Sequence, residues 1–312
     1  MKHRFMKLVS TCLSVIMLAA LAAACGPTTE GQSPGKNEIT DQLGRKVSLA
    51  TTTPQRIISL APSNTETLYA LGLGDRIAGV TEYDNYPPEA QDKPKVGGFS
   101  DTNIEVVVAM EPDLVLAAEI HGSKIIPQLE ARGLTVVALN PKTLDEVLDA
   151  ITLVGKITSQ EKEAGDLTKD MQKRIKSVTD KTGRLTEEQK PRVFYVVWHD
   201  PLMTAGSGTF IDELISKAGG ANIAGDLSDY ADISLEAVVA ADPQIMVAGV
   251  GMGTGEDLPL QFLKTESRLG DTEARRSARI YPIDTDIVGR AGPRITDALE
   301  EFARIIHPEI FK

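Results

Sequence analysis

The chain has 312 residues, with 33 basic and 44 acidic side chains and a formal net charge of −11 at pH 7. Beyond the first few residues no stretch concentrates the basic side chains, so the sequence argues against nucleic acid as a partner. The length is sufficient for two domains of ordinary size.

The N-terminal 24 residues have the pattern of an export signal. Basic residues precede an apolar segment, 8–21, which is too short for a comfortable membrane span and is followed by three alanines. Cys25 comes directly after those alanines. This arrangement resembles the bacterial lipobox, in which the cysteine is lipidated and becomes the mature N-terminus.

The cysteine content supports the same interpretation. Removal of residues 1–24 discards Cys12 and leaves Cys25 as the single cysteine, so no intrachain disulfide is expected. Lipidation of Cys25 is therefore favoured over the alternative, an ordinary secretory signal with an incidental cysteine. The protein is expected at the outer face of the cytoplasmic membrane, held there by its lipid.

The segment after the signal changes from a polar linker to a folded lobe. Residues 25–37 contain hardly any apolar side chain and predict a flexible tether. Residues 39–49 predict a small hairpin, because a Gly-containing turn separates two short runs of strand-forming residues. An N-terminal α/β lobe is expected at 38–158. Its predicted strands are 56–60, 76–80, 113–117 and 135–139, with helices ending at 71, 110 and 132.

One helix start in this lobe carries a local signature. Ser63 and Glu66 are three residues apart and predict a capping box for the helix that runs through Leu71. Because strands alternate with helices throughout the lobe, we expect a parallel sheet.

The middle of the chain is strongly helical. Apolar residues recur at helical spacing in 147–157 and again in 164–178. The second of these helices, within a connecting segment at 159–183, is about 22 residues, or about 33 Å long. A helix of that length is able to cross from one lobe to another.

The alternation of strands and helices returns in a C-terminal α/β lobe at 184–312. Strands are predicted at 192–197, 244–250 and 279–284, and helices at 210–218, 235–241 and 295–306. The predicted fold class is therefore α/β: two similar open α/β lobes joined by one long backbone helix, with the ligand cleft between them. Open α/β lobes bind ligands at the ends of their strands.

One unit occurs in both lobes. The residue types of 104–117 return at 235–248, 131 positions later, and place Glu105 and Glu236 in equivalent first turns of short helices. Proline at 112 and at 243 disfavours helical geometry in the residue before it and so ends each helix. A carboxylate in a first turn is stabilised by the helix dipole, by only about 0.3 to 1 kcal/mol. Stabilisation by the helix dipole alone does not explain why the glutamate occurs twice, in equivalent positions 131 residues apart.

These features together resemble a known family. A lipidated, exported chain with two α/β lobes and a connecting helix is similar to the substrate-binding proteins of ABC importers, in the helix-backbone class that carries vitamin B12, haem and ferric siderophores. Within that class the resemblance is strongest to cobalamin-binding members and covers nearly all of residues 54–312. The motifs that carry it are 59–66, 83–90, 103–105, 192–194, 219–223 and 290–294.

The resemblance implies a partner and a cargo. In the family, one glutamate on each lobe docks onto basic residues of the membrane permease, and the matching positions are Glu105 and Glu236. The resemblance also implies a corrinoid (cobalamin) as transported ligand, with haem or a ferric siderophore as the alternative. We expect a monomer with no catalytic cofactor and little closure of the lobes on binding.

Candidate ligand-binding residues follow from the chemistry of a corrinoid, a broad apolar macrocycle edged with amides. Ring faces are needed, together with a few polar donors and acceptors. Aromatic side chains in predicted loops and strand ends are Tyr83, Tyr86, Phe99, Trp198 and Tyr230. Polar candidates are Ser63 and Asn64 in the first lobe and, by match to the family, Asp286 and Arg290 in the second.

Two of these assignments have open alternatives. Arg290 presents a planar donor fork suited to amides or a phosphate, but a surface ion pair with Asp286 competes with that role. His199 is a possible axial ligand to a bound cobalt or haem iron, although a lone loop histidine is more often hydrogen-bonded within the protein. We expect no resident metal of the protein's own.

Other classes of protein fit less well. Ser207 lies between two glycines but not in a Gly-x-Ser-x-Gly elbow, so a hydrolase is disfavoured. A zinc-uptake protein needs three or four ligands, whereas the exported chain has three widely separated histidines. The chain is therefore not expected to be an enzyme.

Overall fold

The structure is a computed structural model that describes residues 37–251 and 257–311. The predicted signal peptide, Cys25 and nearly all of the predicted tether lie outside the described residues. Within the described part of the chain, every helix is too short or too polar to cross a membrane.

A two-stranded sheet confirms the predicted N-terminal hairpin. It consists of β1 (Asn37–Thr40) and β2 (Lys46–Leu49). Asp41, which is buried, organises the turn: its carboxylate accepts from the backbone N–H of Leu43 at 3.0 Å and pairs with the Arg45 guanidinium at 2.6 Å. The same carboxylate accepts from the N–H of Ala138 at 3.1 Å, which fastens the hairpin to the first lobe.

The first lobe contains the expected parallel sheet. Its four strands lie in the order β4-β3-β5-β6, and every pair is parallel. Strands β5 and β6 are buried almost throughout, as expected for a parallel sheet covered on both faces. The strands are β3 (Ile57–Ser59), β4 (Ile77–Gly79), β5 (Leu114–Ala118) and β6 (Val136–Leu139), with helices α1 (Pro62–Ala70), α2 (Ile104–Ala109) and α3 (Ile125–Glu130).

The predicted capping box at Ser63 and Glu66 is wrong. Helix α1 begins at Pro62 with Ala61 as its N-cap, and no side chain caps it. Proline suits a first helical position, because its φ is already helical and its missing N–H would have no partner there. Glu66 instead directs its buried carboxylate toward the second lobe.

Two consecutive helices lie between the parallel sheets of the two lobes, and the second is the long helix expected from the sequence. Helix α4 (Leu144–Thr158) begins at the cap Thr143, whose hydroxyl accepts from the Glu146 N–H at 3.2 Å. Helix α5 (Glu161–Thr182) has the predicted 22 residues. The helices approach closely at Gly155, where a Cβ would lie 2.4 Å from the Cβ of Ala164. A side chain larger than hydrogen at 155 would therefore separate them.

The second lobe repeats the parallel sheet of the first. Its strand order is β10-β7-β12-β13, again parallel throughout. The strands are β7 (Arg192–Val196), β10 (Ala221–Asn222), β12 (Ile245–Val250) and β13 (Ile280–Asp284). The helices are α6 (Phe210–Lys217), α7 (Leu235–Ala241), α8 (Leu258–Thr265), α9 (Glu273–Arg276), α10 (Thr285–Gly289) and α11 (Ile295–Ile306).

A small antiparallel sheet in this lobe was not expected from the sequence. It has the order β11-β9-β8, formed by β8 (Trp198–His199), β9 (Leu202–Ala205) and β11 (Tyr230–Asp232). Strands of two to four residues are too short to show alternating polarity, so local sequence carried no signal for them.

The repeated unit is equivalent in detail. Helices α2 and α7 each start with a side-chain cap at the same offset: Asn103 accepts from the Val106 N–H, and Ser234 from the Ala237 N–H. The acidic residue before each proline has left-handed backbone, with φ of 47° at Glu111 and 44° at Asp242. Each short helix therefore leaves helical geometry just before its proline, and a buried parallel strand follows.

Candidate ligand-binding cleft

A cavity of about 720 Å³ lies between the two lobes. On the first lobe it is lined by residues at or after the carboxyl ends of β3, β4, β5 and β6, and on the second by the start of α6, by β11 and by the end of α10 with the segment after it. This is the position in which open α/β sheets bind ligands. Its apolar and aromatic lining residues are Phe99, Ala118, Ile120, Leu139, Pro141, Phe210, Tyr230 and Ala291.

The cavity carries little net charge. Its charged lining residues are Glu119, Lys142 and Asp229, and the first two form an ion pair at 2.5 Å. The remaining polar lining is hydroxyl and amide, from Ser63, Asn64, Asn140 and Thr209. The cleft therefore offers apolar surface and neutral hydrogen-bonding groups rather than a concentration of charge.

Four of the predicted ligand-binding residues line this cavity: Ser63, Asn64, Phe99 and Tyr230. Tyr230 is 52% exposed, so much of its surface is free to contact a ligand. Asn64 is 3% exposed, and its amide donates to the carbonyl of Ala117 at 3.0 Å. Asn64 thus also holds the end of β5 in place.

Arg290 and Asp286 lie instead in a polar cluster that joins the lobes. We call this cluster the inter-lobe clasp; it consists of Glu66 and Asn85 from the first lobe and Asp286, Arg290 and Arg294 from the second. The Glu66 carboxylate, 2% exposed, pairs with Arg290 at 2.9 Å and with Arg294 at 2.6 Å. The single carboxylate of Glu66 thus neutralises one of the two arginine charges across the gap, and Asp286, in the same lobe as the arginines, supplies the other carboxylate.

The donors of Arg290 are occupied within the clasp. Besides Glu66, its guanidinium pairs with Asp286 at 2.8 Å, and it donates to the Asn85 side-chain oxygen at 2.7 Å. Arg290 is also absent from the lining of the cavity. The ion pair with Asp286 that the sequence left as an alternative is present, as part of a larger network.

Tyr83 and Tyr86 lie beside the clasp. The carbonyl of Tyr83 accepts from Arg290 at 3.3 Å, while its ring is 60% exposed. The ring of Tyr86 lies 4.0 Å from the guanidinium of Arg294, in a cation–π arrangement. Neither tyrosine is among the residues that line the cavity.

Trp198 and His199 lie on β8, apart from the cavity lining. The Trp198 indole donates to the Asp200 carbonyl at 2.9 Å. The His199 ring has the rings of Trp198 and Phe262 as neighbours, with centroid distances of 5.0 and 6.4 Å. In the part of the chain that the structure describes, His199 therefore packs against aromatic neighbours and does not line the cavity.

His121 supports the cleft, although it was not among the predicted ligand-binding residues. It is fully buried in the turn after β5, and its Nδ1 accepts from the Ala118 N–H at 2.9 Å. Its Nε2 lies 2.7 Å from the Phe99 carbonyl, and the two rings meet edge to face at 5.5 Å. Burial lowers the pKa of His121, against the effect of the two backbone bonds. The signal for it in the sequence was its place a few residues after a predicted strand.

The two repeated glutamates lie on exposed first turns. Glu105 is exposed on α2 and Glu236 on α7, where 80% of the Glu236 side chain is accessible. Arg268 approaches Glu236 at 3.8 Å and is itself held by Glu266 at 3.0 Å. Within residues 37–251 and 257–311, no group of three or more His, Cys, Asp or Glu side chains is arranged to hold a metal ion.

Comparison with known proteins identifies the class that this fold and cleft define. The periplasmic binding protein family model matches residues 57–287, and the chain belongs to that family. Members of this family are solute carriers without catalytic activity, so the protein is not an enzyme. It is a substrate-binding protein of an ABC importer.

Individual relatives differ in their named ligands. An uncharacterised ABC transporter substrate-binding lipoprotein of Bacillus subtilis is 33% identical, over 96% of this chain and 97% of that protein. A cobalamin-binding protein of Halobacterium salinarum is 29% identical, over 98% of this chain and 85% of its own length. The crystal structure of a periplasmic haem-binding protein from Pseudomonas aeruginosa superposes with a TM-score of 0.73 at 28% identity, covering 82% of this chain and 93% of that one.

Proposed function

We propose that the protein captures a corrinoid, cobalamin or a close relative, in the inter-lobe cleft and delivers it to the permease of an ABC importer. The observation that carries this proposal is the composition of the cavity wall, where eight apolar or aromatic side chains from both lobes occur together with neutral hydroxyl and amide groups. A corrinoid has a broad apolar ring edged with uncharged amides, so it matches both features. The cobalamin-binding relative supports the same ligand.

Haem is the second candidate, supported by the haem-binding structural neighbour. Its iron could be coordinated by the phenol of Tyr230, which lines the cavity, whereas His199, the axial ligand considered from the sequence, does not. Haem also carries two carboxylates that require cationic partners or donors. Arg290 is engaged in the clasp and Lys142 is paired with Glu119, so the cleft offers little to those carboxylates. The same shortage of free cations disfavours anionic siderophores.

A ligand panel separates these candidates. The exported form of the protein, lacking residues 1–24, is titrated calorimetrically with cyanocobalamin, cobinamide and haemin, and visible spectra are recorded for each mixture. We expect saturable binding of a corrinoid and no specific binding of haemin. Absence of heat and of spectral change with both corrinoids, or tight binding of haemin alone, would overturn the corrinoid assignment.

We also propose how the protein is held near the membrane and how it meets the permease. Lipidation of Cys25 and a tether at 25–37 hold lobes at 38–158 and 184–312, linked through 159–183, near the membrane. Glu105 and Glu236 are proposed to contact basic residues of the permease, one from each lobe. Their exposure and their equivalent positions on α2 and α7 support this role, since complementary charges guide encounter and fix orientation.

A further inference from the structure

Two segments that are separate in the sequence meet at the aromatic wall of the cleft. Phe99 lies in the loop that follows β4, Ile120 lies in the short turn 119–121 after β5, and Ala118 is the last residue of β5. Loops of this kind are the more mobile parts of a fold unless something holds them. The wall therefore depends on a contact that joins the Phe99 loop to the end of β5.

The His121 side chain makes that contact with both of its ring nitrogens. Because Nδ1 accepts a hydrogen bond from the Ala118 N–H, the proton of the neutral ring lies on Nε2, where it donates to the Phe99 carbonyl. The imidazole edge also packs against the Phe99 ring at an interplanar angle of 81°. One buried side chain thus fixes both the backbone and the ring of Phe99 relative to β5.

We propose that His121 is the positioning residue for the aromatic wall of the ligand cleft: in its neutral Nε2–H form it fixes the Phe99 loop against the end of β5. His121 is not among the residues lining the cavity, so it acts on the ligand through Phe99 and Ile120. The identity of the ligand rests on the proposed function, whereas the role of His121 in arranging the wall does not.

The geometry also explains why histidine differs from other residues of similar size here. A protonated imidazole has two N–H donors and cannot accept from Ala118, and a phenylalanine has neither donor nor acceptor. Glutamine has one donor and one acceptor on its terminal amide, so it is able to replace both hydrogen bonds. Gln at 121 is therefore the conservative substitution, and Leu or Phe the disruptive ones.

The first test measures cyanocobalamin affinity by calorimetry in His121→Gln, His121→Leu and His121→Phe. Loss of both hydrogen bonds in the Leu and Phe variants is expected to weaken binding about tenfold, with the Gln variant within about threefold of the wild type. Equal losses in all three variants, or none in any, would contradict a role through these bonds. Urea unfolding of each variant separates lost folding from lost positioning.

A double substitution tests whether His121 acts through Phe99. Phe99→Ala is expected to weaken binding by itself, and His121→Phe should then add much less than it does in the wild type, because the wall it positions is already gone. Fully additive losses would overturn the proposed route. Lys156→Ala, on an exposed position of α4, serves as a control that should leave affinity unchanged in both backgrounds.

The arrangement itself is tested without any ligand. Long-range ¹H–¹⁵N correlation spectra of the wild-type protein at pH 7.5, with His121 assigned by comparison with His121→Gln, should show a neutral ring protonated at Nε2. A ring protonated at Nδ1, or a charged ring, would contradict the proposal. Failure of the wild type to bind cyanocobalamin would instead contradict the proposed ligand, so the two failures are distinguishable.

Discussion

Polar residues near this cleft form hydrogen bonds with partners that are far away in the sequence. Arg290 was expected to face the ligand, yet its guanidinium is bound by Glu66, Asn85 and Asp286. His121, three residues after a strand, holds the Phe99 carbonyl 22 positions earlier in the chain. The sequence indicated Arg290 only by its match to the family, and His121 was not among the predicted ligand-binding residues. Residue type and local pattern carried no information on which side chain would meet which, because that depends on how the segments are brought together in the fold.

At residue scale, the lowered pKa of His121 predicts a dependence of stability on pH. The folded state favours the neutral ring, whereas an unfolded histidine titrates near 6.5. Above about pH 6.5 the ring is neutral in both states, and its hydrogen bonds contribute fully. As the pH falls below that value the unfolded state binds more protons, so stability is lost, by at most about 1.4 kcal/mol per pH unit.

The comparison with His121→Gln isolates this contribution. Free energies of unfolding are measured by urea titration of both proteins at pH 7.5, 6.5 and 5.5. Every other titratable group is common to the two proteins, so the wild type should lose stability relative to the variant as the pH falls. A difference that is constant over this range would show that the buried imidazole does not titrate as proposed.

At the scale of elements, the clasp between α1 and the 290–294 segment should contribute strongly to stability. Glu66 is buried and holds two arginines whose side chains are only 12% and 16% exposed. Removing one partner of a buried ion pair leaves uncompensated charge and costs about 3 to 5 kcal/mol. We therefore expect Glu66→Ala to lower the free energy of unfolding by about 3 kcal/mol.

A matched control uses another ion pair between elements. Glu300 on α11 pairs with Arg174 on α5 at 2.8 Å, but both side chains are about 30% exposed. Because partly exposed pairs contribute less, Glu300→Ala should cost about 1 kcal/mol or less. Equal effects of the two substitutions in urea unfolding would show that the clasp is no more important than a surface ion pair.

The elements themselves were largely predictable from the sequence. Local properties of the sequence predicted three features: runs of apolar residues, helical spacing and proline positions indicated the unit that recurs 131 positions later, the parallel strands and the 22-residue helix. The antiparallel sheet of β8, β9 and β11 was missed because its strands are too short for any period. The capping box at Ser63 was wrong because Pro62 starts the helix and Glu66 makes a contact more than 200 residues away.

The candidate site was predictable in outline only. Strand ends indicated Ser63, Asn64, Phe99 and Tyr230, all of which line the cavity. The same reasoning did not separate them from Trp198 and His199, which also follow a strand but pack within the small antiparallel sheet. Distinguishing these groups requires the relative placement of the two lobes, which no local pattern encodes.

At the scale of the whole molecule, the connection between the lobes predicts limited movement on ligand binding. Helix α5 contacts the second lobe through Arg174, and the clasp joins the lobes at a second place. A hinge motion would have to break buried charge pairs as well as bend a helix. Small-angle scattering profiles with and without cyanocobalamin should therefore superpose, and a marked compaction on binding would contradict this expectation.

The same rigid arrangement makes the docking proposal testable. Reversing both charges, in Glu105→Lys with Glu236→Lys, should abolish stimulation of the permease ATPase in proteoliposomes while cyanocobalamin binding stays unchanged, since both residues lie outside the cavity lining. Glu161→Lys with Glu163→Lys, both exposed on α5, is the charge-matched control. Normal stimulation of the ATPase by the variant with both charges reversed would show that the two glutamates have no role in docking to the permease.

The central claim is that the cavity between the lobes binds a corrinoid, and calorimetric titration of the exported protein with cyanocobalamin measures it directly. We expect one site per chain in the wild type, affinity weakened about tenfold or more in Tyr230→Ala, whose ring lines the cavity, and wild-type affinity in Tyr83→Ala, whose ring is exposed beside the clasp. No binding by the wild type, or a loss of affinity in Tyr83→Ala but not in Tyr230→Ala, would contradict the account.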